Sequence, residues 1–181
     1  MGTVTTLPRG RALTRADLDA MPDDGHRYEL VDGTLVVTPA PSYRHQTIVG
    51  QLHLLLATAC PSDLHVLMAP FDVALAEDTI MQPDLLVARR EDFTARDLPV
   101  APLLAVEVLS PSTRRVDLTL KRSRYEAAGC ASYWVVDPDQ PALTAWELRD
   151  GEYVAVAHVI GDQEYAASLP YDVLVSPARL V

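Results

Sequence analysis

Three carboxylates sit where this chain otherwise places apolar side chains. Glu29 lies in "YELVDG", Asp84 opens "PDLLVA" directly after Pro83, and Glu107 stands inside "LLAVEVL". Alternation along a strand puts Glu107 on one face with Leu103, Ala105 and Leu109, and Leu104, Val106 and Val108 on the other. Both faces are apolar, so the strand is expected to be central and covered on both sides. A carboxylate buried there without a partner costs several kcal/mol or stays protonated, so it needs a partner or a cleft. Lys121 lies in the helix that follows. Asp117 and Tyr125 stand four residues to either side of it, which makes the three one helical stripe. Clustered carboxylates repel and raise each other's pKa unless a cation sits among them. Oxygen donors of this kind suit Mg2+ or Mn2+.

Plainer readings stand beside this one. A single carboxylate in a strand is commonly a local polar contact, and Glu29 flanks a hairpin where it can face solvent. Lys121 can pair with Asp117 on an exposed helix face, where such pairs contribute little. Asp117 can be only a helix N-cap. His45 either points into the site beside Gln46 or serves as a packed or capping residue. His26, His53, His65 and His158 are scattered without metal-ligand spacing. "RRVDLTLKRSR" gathers Arg114, Arg115, Lys121, Arg122 and Arg124, as a solvated face or as a strip for phosphates. Tyr125, Tyr133 and Trp134 read as core, with Tyr125 at the edge of a cleft as the sharper alternative. Cys60 and Cys130 form no disulfide framework and have no activating neighbour, so both are expected to be buried and inert.

The elements that must position these groups follow from periodicity and turn residues. Thr14 with Asp17 predicts an N-capped helix to about Met21. Asp32-Gly33 and Asp150-Gly151 predict two hairpins, because a type I′ turn needs positive φ at both central residues. Ser42 is placed to cap a helix whose Ile48, Leu52, Leu55, Leu56 and Ala59 form one buried stripe. "LHVLM", "FDVAL", "DLLVA", "LLAVEVL" and "SYWVVD" read as strands. "VDLTLKRSRYEAAG" reads as a helix stopped by Gly129. A short strand closes the chain in "LPYDVLVSPARLV". Helices flanking a mixed central sheet, with added hairpins, make the class α/β or α+β.

At 181 residues, of which 49% are hydrophobic and 22% charged, the chain is expected to be one globular domain over 1–181. Lys and Arg number 15 against 25 Asp and Glu, a formal charge of −10. That argues against general affinity for nucleic acid, which needs a basic surface. A local basic strip, or a bound divalent cation, would soften the argument. No apolar run approaches the roughly 20 residues of a membrane span. The start, "MGTVTTLPRGRALTRADL", lacks a signal peptide's apolar region, Met1-Gly2 carries little weight as a myristoylation signal, and the cytoplasm is the default location.

The order of motifs carries more than any one of them. Pro83-Asp84 followed by Glu107 resembles the PD-(D/E)xK pattern of restriction-endonuclease-like nucleases. The wider run is more specific: "YELVDGTLVVTPAPSYRHQ", "QPDLLVA", "AVEVLSPSTRRVDLTLKRSRYEAAG" and "YWVVDP" resemble the Uma family of restriction-endonuclease-like endonucleases, over roughly residues 14–160. The resemblance implies that Asp84, Glu107 and the Val108 carbonyl hold Mg2+ or Mn2+, with Glu29 as a further acid. Leu109 occupies the position where the general motif has lysine, so the resemblance assigns that work to Lys121. Asp84, Glu107, Glu29 and Lys121 are then the catalytic set, and His45, Arg114, Arg115, Arg122 and Tyr125 the substrate contacts. The implied reaction is metal-assisted hydrolysis of a phosphodiester, in which Lys121 orients the water or stabilises developing charge. DNA is the leading substrate, and a homodimer is expected from the need to cut two strands. Two other classes remain: an inactive nuclease fold that binds nucleic acid or protein, and a metal-dependent phosphoesterase for a small substrate.

Overall fold

The computed structural model describes residues 7–8 and 10–181; the readings placed on residues 1–6 lie outside them. The elements in chain order are α1 (Arg15–Asp19), β1 (Arg27–Val31), β2 (Thr34–Thr38), α2 (Tyr43–Ala59), β3 (Leu64–Met68), β4 (Asp72–Ala76), β5 (Thr79–Met81), β6 (Leu85–Arg89), β7 (Asp97–Leu98) and β8 (Leu104–Val108). A helical stretch follows: α3 (Arg114–Val116), a π-helical turn (Asp117–Lys121) and α4 (Arg122–Ala128). Then come β9 (Ser132–Asp137), β10 (Ala142–Arg149), β11 (Glu152–Ile160), β12 (Tyr165–Ala167) and β13 (Val173–Val175).

β8 is buried along its whole length, because it lies inside a mixed six-stranded sheet of order β11-β10-β9-β8-β6-β3. It runs parallel to β9 and antiparallel to β6. One face, with Leu85, Val87, Leu104, Val106 and Trp134, packs against Ile48, Leu52 and Leu56 of α2. The other, with Leu86, Ala105, Tyr133 and Val135, packs against Tyr125 of α4 and against Val31, Val73 and Met81. Those last three belong to a second, five-stranded sheet of order β2-β1-β5-β4-β7. The expected mixed central sheet is the six-stranded one; the five-stranded sheet and a two-stranded sheet of β12 and β13 stand beside it. The N-terminal hairpin belongs to the second, while β10–β11 extends the first.

Local chemistry sets the boundaries. The Asp17 carboxylate accepts from the Thr14 N–H at 2.8 Å and its hydroxyl at 3.1 Å, but α1 stops at Asp19, before Met21. The Ser42 hydroxyl accepts from the His45 N–H at 3.2 Å and opens α2. In the α2 stripe Leu55 is half-buried and Ala59 exposed. Gly129 takes φ +85° and ends α4. Asp32 and Gly33 have φ of 52° and 67°, as their hairpin turn requires. A Cβ at Gly33 would lie 2.5 Å from the Ala12 Cβ. Gly33→Ala is therefore expected to destabilise the fold by about 1–3 kcal/mol, read as a lower midpoint in denaturant.

Cys130 is fully buried, and burial pushes its thiol up to about 12. Cys60 is only half-buried, contrary to expectation. Thiol reagent at pH 8 is expected to label Cys60 in the native protein and Cys130 only after unfolding; rapid native labelling of Cys130 would contradict this packing. Among the described residues no helix is long and apolar enough to cross a membrane.

Candidate active site at the end of the central sheet

Asp84 directly precedes β6. In the β6–β8 ladder Leu85 faces Val106 and Leu86 faces Ala105, so continuing by one pair sets Asp84 opposite Glu107. The two carboxylates thus stand close together at the end of the ladder, near enough for the Asp84 charge to raise the Glu107 pKa. The Val108 N–H donates to Asp84 Oδ2 at 2.8 Å, which pins the acid to β8. His45 Nε2, one turn into α2, lies 3.1 Å from the same oxygen. Arg27 Nη1, on β1, donates to Oδ1 at 3.1 Å. Burial alone would raise the Asp84 pKa; His45, Arg27 and the Val108 N–H outweigh it and hold the carboxyl below its usual range. Asp84 is therefore ionised at neutral pH.

Lys121 is the hub of the other acids. Its Nζ stands 2.9 Å from Glu29 Oε1, 3.1 Å from Glu107 Oε1 and 3.5 Å from Asp117 Oδ1. The lysine side chain is fully enclosed, as is Glu29. The π-helical turn presents Asp117 and Lys121 inward together, one element supplying both signs. Burial would lower the Lys121 pKa, but Glu107, Glu29 and Asp117 raise it above an ordinary amine. Burial pushes Glu107 well above the carboxylate range, with Lys121 opposing, and pushes Asp117 up in the same way. Glu29 also accepts the Gln82 N–H at 2.7 Å, which ties the second sheet to the site.

A cleft of about 880 Å³ opens above this assembly. Asp84, His45 and Arg27 line it, whereas Glu29, Glu107, Asp117 and Lys121 lie behind them. Leu109, at the motif's lysine position, is an apolar part of the wall. Lys121, on the neighbouring helix, meets Glu107 at hydrogen-bond distance.

These motifs sit inside a single family match. A family described as "Uma2: Putative restriction endonuclease" matches residues 15–173. The chain belongs to this family. Its fold is shared with a solved structure described as "a putative nuclease belonging to DUF820 from Anabaena variabilis ATCC 29413". The TM-score is 0.71 at 16% identity, over 93% of this chain and 97% of that one. No curated protein matches the chain.

In this Uma2 chain the residues expected to contact substrate fare differently from the acids. His45 is buried with Nε2 on Asp84, and its Nδ1 has no partner. Tyr125, expected at the edge of the cleft, is wholly enclosed with its ring 5.5 Å from Tyr133, so it cannot touch a substrate. The basic strip is largely neutralised. Arg114 pairs with Asp137 at 2.6 Å, Arg124 pairs with Asp32 at 2.8 Å, and Arg122 lies 5.3 Å from the Trp146 ring centroid. Arg115 is exposed and has no carboxylate partner among the described residues. Two participants escaped the sequence reading. Arg27 was detectable, since residues i and i+2 of a strand share a face and it precedes Glu29 by two. Gln82 acts through its backbone, which leaves no side-chain signal.

Among the described residues no three carboxylate, imidazole or thiol side chains form a ready-made metal cage. Mg2+ does not need one, because it keeps several waters and binds through one or two carboxylates. Asp84 and Glu107, close together at the end of the β6–β8 ladder, fit that requirement. The carboxyl groups of Glu29, Asp84, Glu107 and Asp117 outnumber the cations Lys121 and Arg27, a surplus that bound protons or a divalent cation would balance.

Proposed function

We propose that the protein is a divalent-metal-dependent nuclease that hydrolyses phosphodiester bonds, with DNA as the leading substrate. The observation that carries this reading is Asp84 bonded to the Val108 N–H, one residue from Glu107, with Lys121 Nζ 3.1 Å from Glu107. Asp84 and Glu107 would hold Mg2+ or Mn2+, and the Val108 carbonyl, at the end of β8, is the further ligand. The metal, when bound, supplies a Lewis acid for a phosphate oxygen and a water of lowered pKa.

The chain's own residues do the rest. Arg27, His45 and the Val108 N–H keep Asp84 ionised and fixed in place. Glu107 tends to hold a proton in its buried position, and ligation requires that proton to leave. Lys121 favours the ionised Glu107 and aims it, with Glu29 and Asp117 holding the ammonium in turn. Lys121 is thus a positioning residue, separated from the cleft by the groups it orders.

The test is incubation with single- and double-stranded DNA and with RNA, in Mg2+, in Mn2+ and in chelator, beside Glu107→Ala and Lys121→Ala. Metal-dependent cleavage lost in both variants supports the reading. Equal cleavage by both variants indicates a contaminant and removes it. One observation favours the inactive binding module instead: every acid in the cluster already contacts Lys121, Arg27 or His45. Under that reading the cluster only holds the two sheets and α4 together, and no substrate is cut.

A further inference from the structure

We infer that the cleft takes single-stranded nucleic acid, or a few unpaired nucleotides at an end or loop, and does not admit an intact duplex. This rests on the nuclease reading and narrows its substrate. Depth is the first reason. Asp84 is 3% exposed and Glu107 1%. They lie below a rim that includes the exposed Pro39, Pro41 and Pro111, whose fixed φ makes it stiff. Phosphates of a duplex are held on a rigid cylinder with grooves about 12 and 6 Å wide. To bring one onto Asp84, the strand must leave its stack, which costs a few kcal/mol for paired nucleotides and little for unpaired ones.

Size and charge agree with depth. The cleft's volume of about 880 Å³ falls within the roughly 300–1,000 Å³ of sites that enclose small ligands. That is room for a few nucleotides. Of the arginines lining it, Arg27 is engaged by Asp84 and Arg44 is exposed at the start of α2. Asp19, Asp23, Asp72 and Asp139 line it as well. Duplex binding draws on many cationic contacts, and the neutralised Arg114 and Arg124 do not supply them. The lining does offer ring surface: His26 and Tyr28, with centroids 6.3 Å apart, are of the kind on which unpaired bases stack. A single-stranded substrate needs only one active site, so the argument for a dimer from two-strand cutting lapses.

The test presents one oligonucleotide sequence as a single strand, as a blunt duplex, and as a duplex with a short unpaired loop. Binding is read by fluorescence anisotropy in Ca2+, and cleavage is read in Mg2+. The single strand and the loop are expected to be bound and cut at least roughly tenfold better than the blunt duplex, about 1.4 kcal/mol. The salt dependence of single-strand binding is expected to be shallow, with a slope no steeper than about −2, the release from about three phosphates. Arg44→Ala is expected to reduce that slope by about 0.7. Blunt duplex bound and cut in its interior as well as the single strand overturns the inference. Preferential binding of the single strand with no cleavage of anything overturns the nuclease reading and leaves this one standing. No binding to any of the three overturns both.

Discussion

Lys121→Ala is expected to cost the protein about 3–5 kcal/mol of stability, because it strips the shared cation from a fully buried group of acids. At about 2–4 °C per kcal/mol for a chain of this size, the melting temperature should fall by roughly 6–20 °C. The reason lies in the geometry at Nζ. Glu29, Glu107 and Asp117 all lean on one ammonium with no exposure to water. Without it, each carboxylate must take up a proton or find water. The loss should depend on pH, and its sign follows from Glu107 and Asp117. Both are pushed above the ordinary carboxylate range by burial. A group whose folded pKa is raised contributes stability that is fully present below its unfolded value, about 4 for these acids, and lost as pH rises through the folded value. Removing Lys121 raises those folded values further. The variant should therefore be closer to the parent at pH 5 than at pH 8 in thermal melts. An equal deficit at both pH values would mean that the acids are not the source of the cost. Adding Glu107→Gln to Lys121→Ala should recover part of the loss, since it removes one of the stranded charges.

Glu107→Gln alone is expected to separate activity from stability. The amide has nearly the shape of the acid, and its oxygen can still accept from Lys121 Nζ, 3.1 Å from Glu107 Oε1. The substitution removes a carboxyl group whose ionisation burial opposes. The melting temperature should stay level or rise by a few degrees, as when a strained functional site is relaxed. Cleavage should fall by a factor on the order of 10² or more, because the metal loses one of its two carboxylates. A variant that is strongly destabilised yet fully active would place Glu107 in the framework and outside the chemistry.

Much of this arrangement was legible in the residues themselves. "LHVLM" and "SYWVVD" coincide with β3 and β9, because short runs of apolar and β-branched residues bounded by breakers admit few other readings. The Asp-Gly turns and Gly129 were equally plain, since each needs a backbone conformation that few residues tolerate. The stripe Asp117–Lys121–Tyr125 was also right, and all three are buried. What the stripe did not reveal was depth: Tyr125 faces the protein interior, and Asp117 lies within the helical stretch, past its N-cap at Thr113. β5 and β7 escaped because three and two residues carry no periodicity, and their pairing partners create them. The basic strip misled for a related reason. Arg114 is quenched by Asp137 and Arg124 by Asp32, and neither partner is near enough in sequence to announce itself. Spacing along a chain shows which side chains share an element, whereas the partners that silence them come from elsewhere in the fold.

The central claim is that Asp84 and Glu107 together bind a divalent cation. It is tested most directly by titrating the protein with Mn2+ and following the free-ion signal by electron paramagnetic resonance, for the parent, Asp84→Asn and Glu107→Gln. The account predicts stoichiometric Mn2+ uptake by the parent, displaced by Mg2+, and its loss in both variants while their folds persist. Uptake undiminished in both variants, or a parent that binds no Mn2+ and still cleaves in chelator, would contradict it.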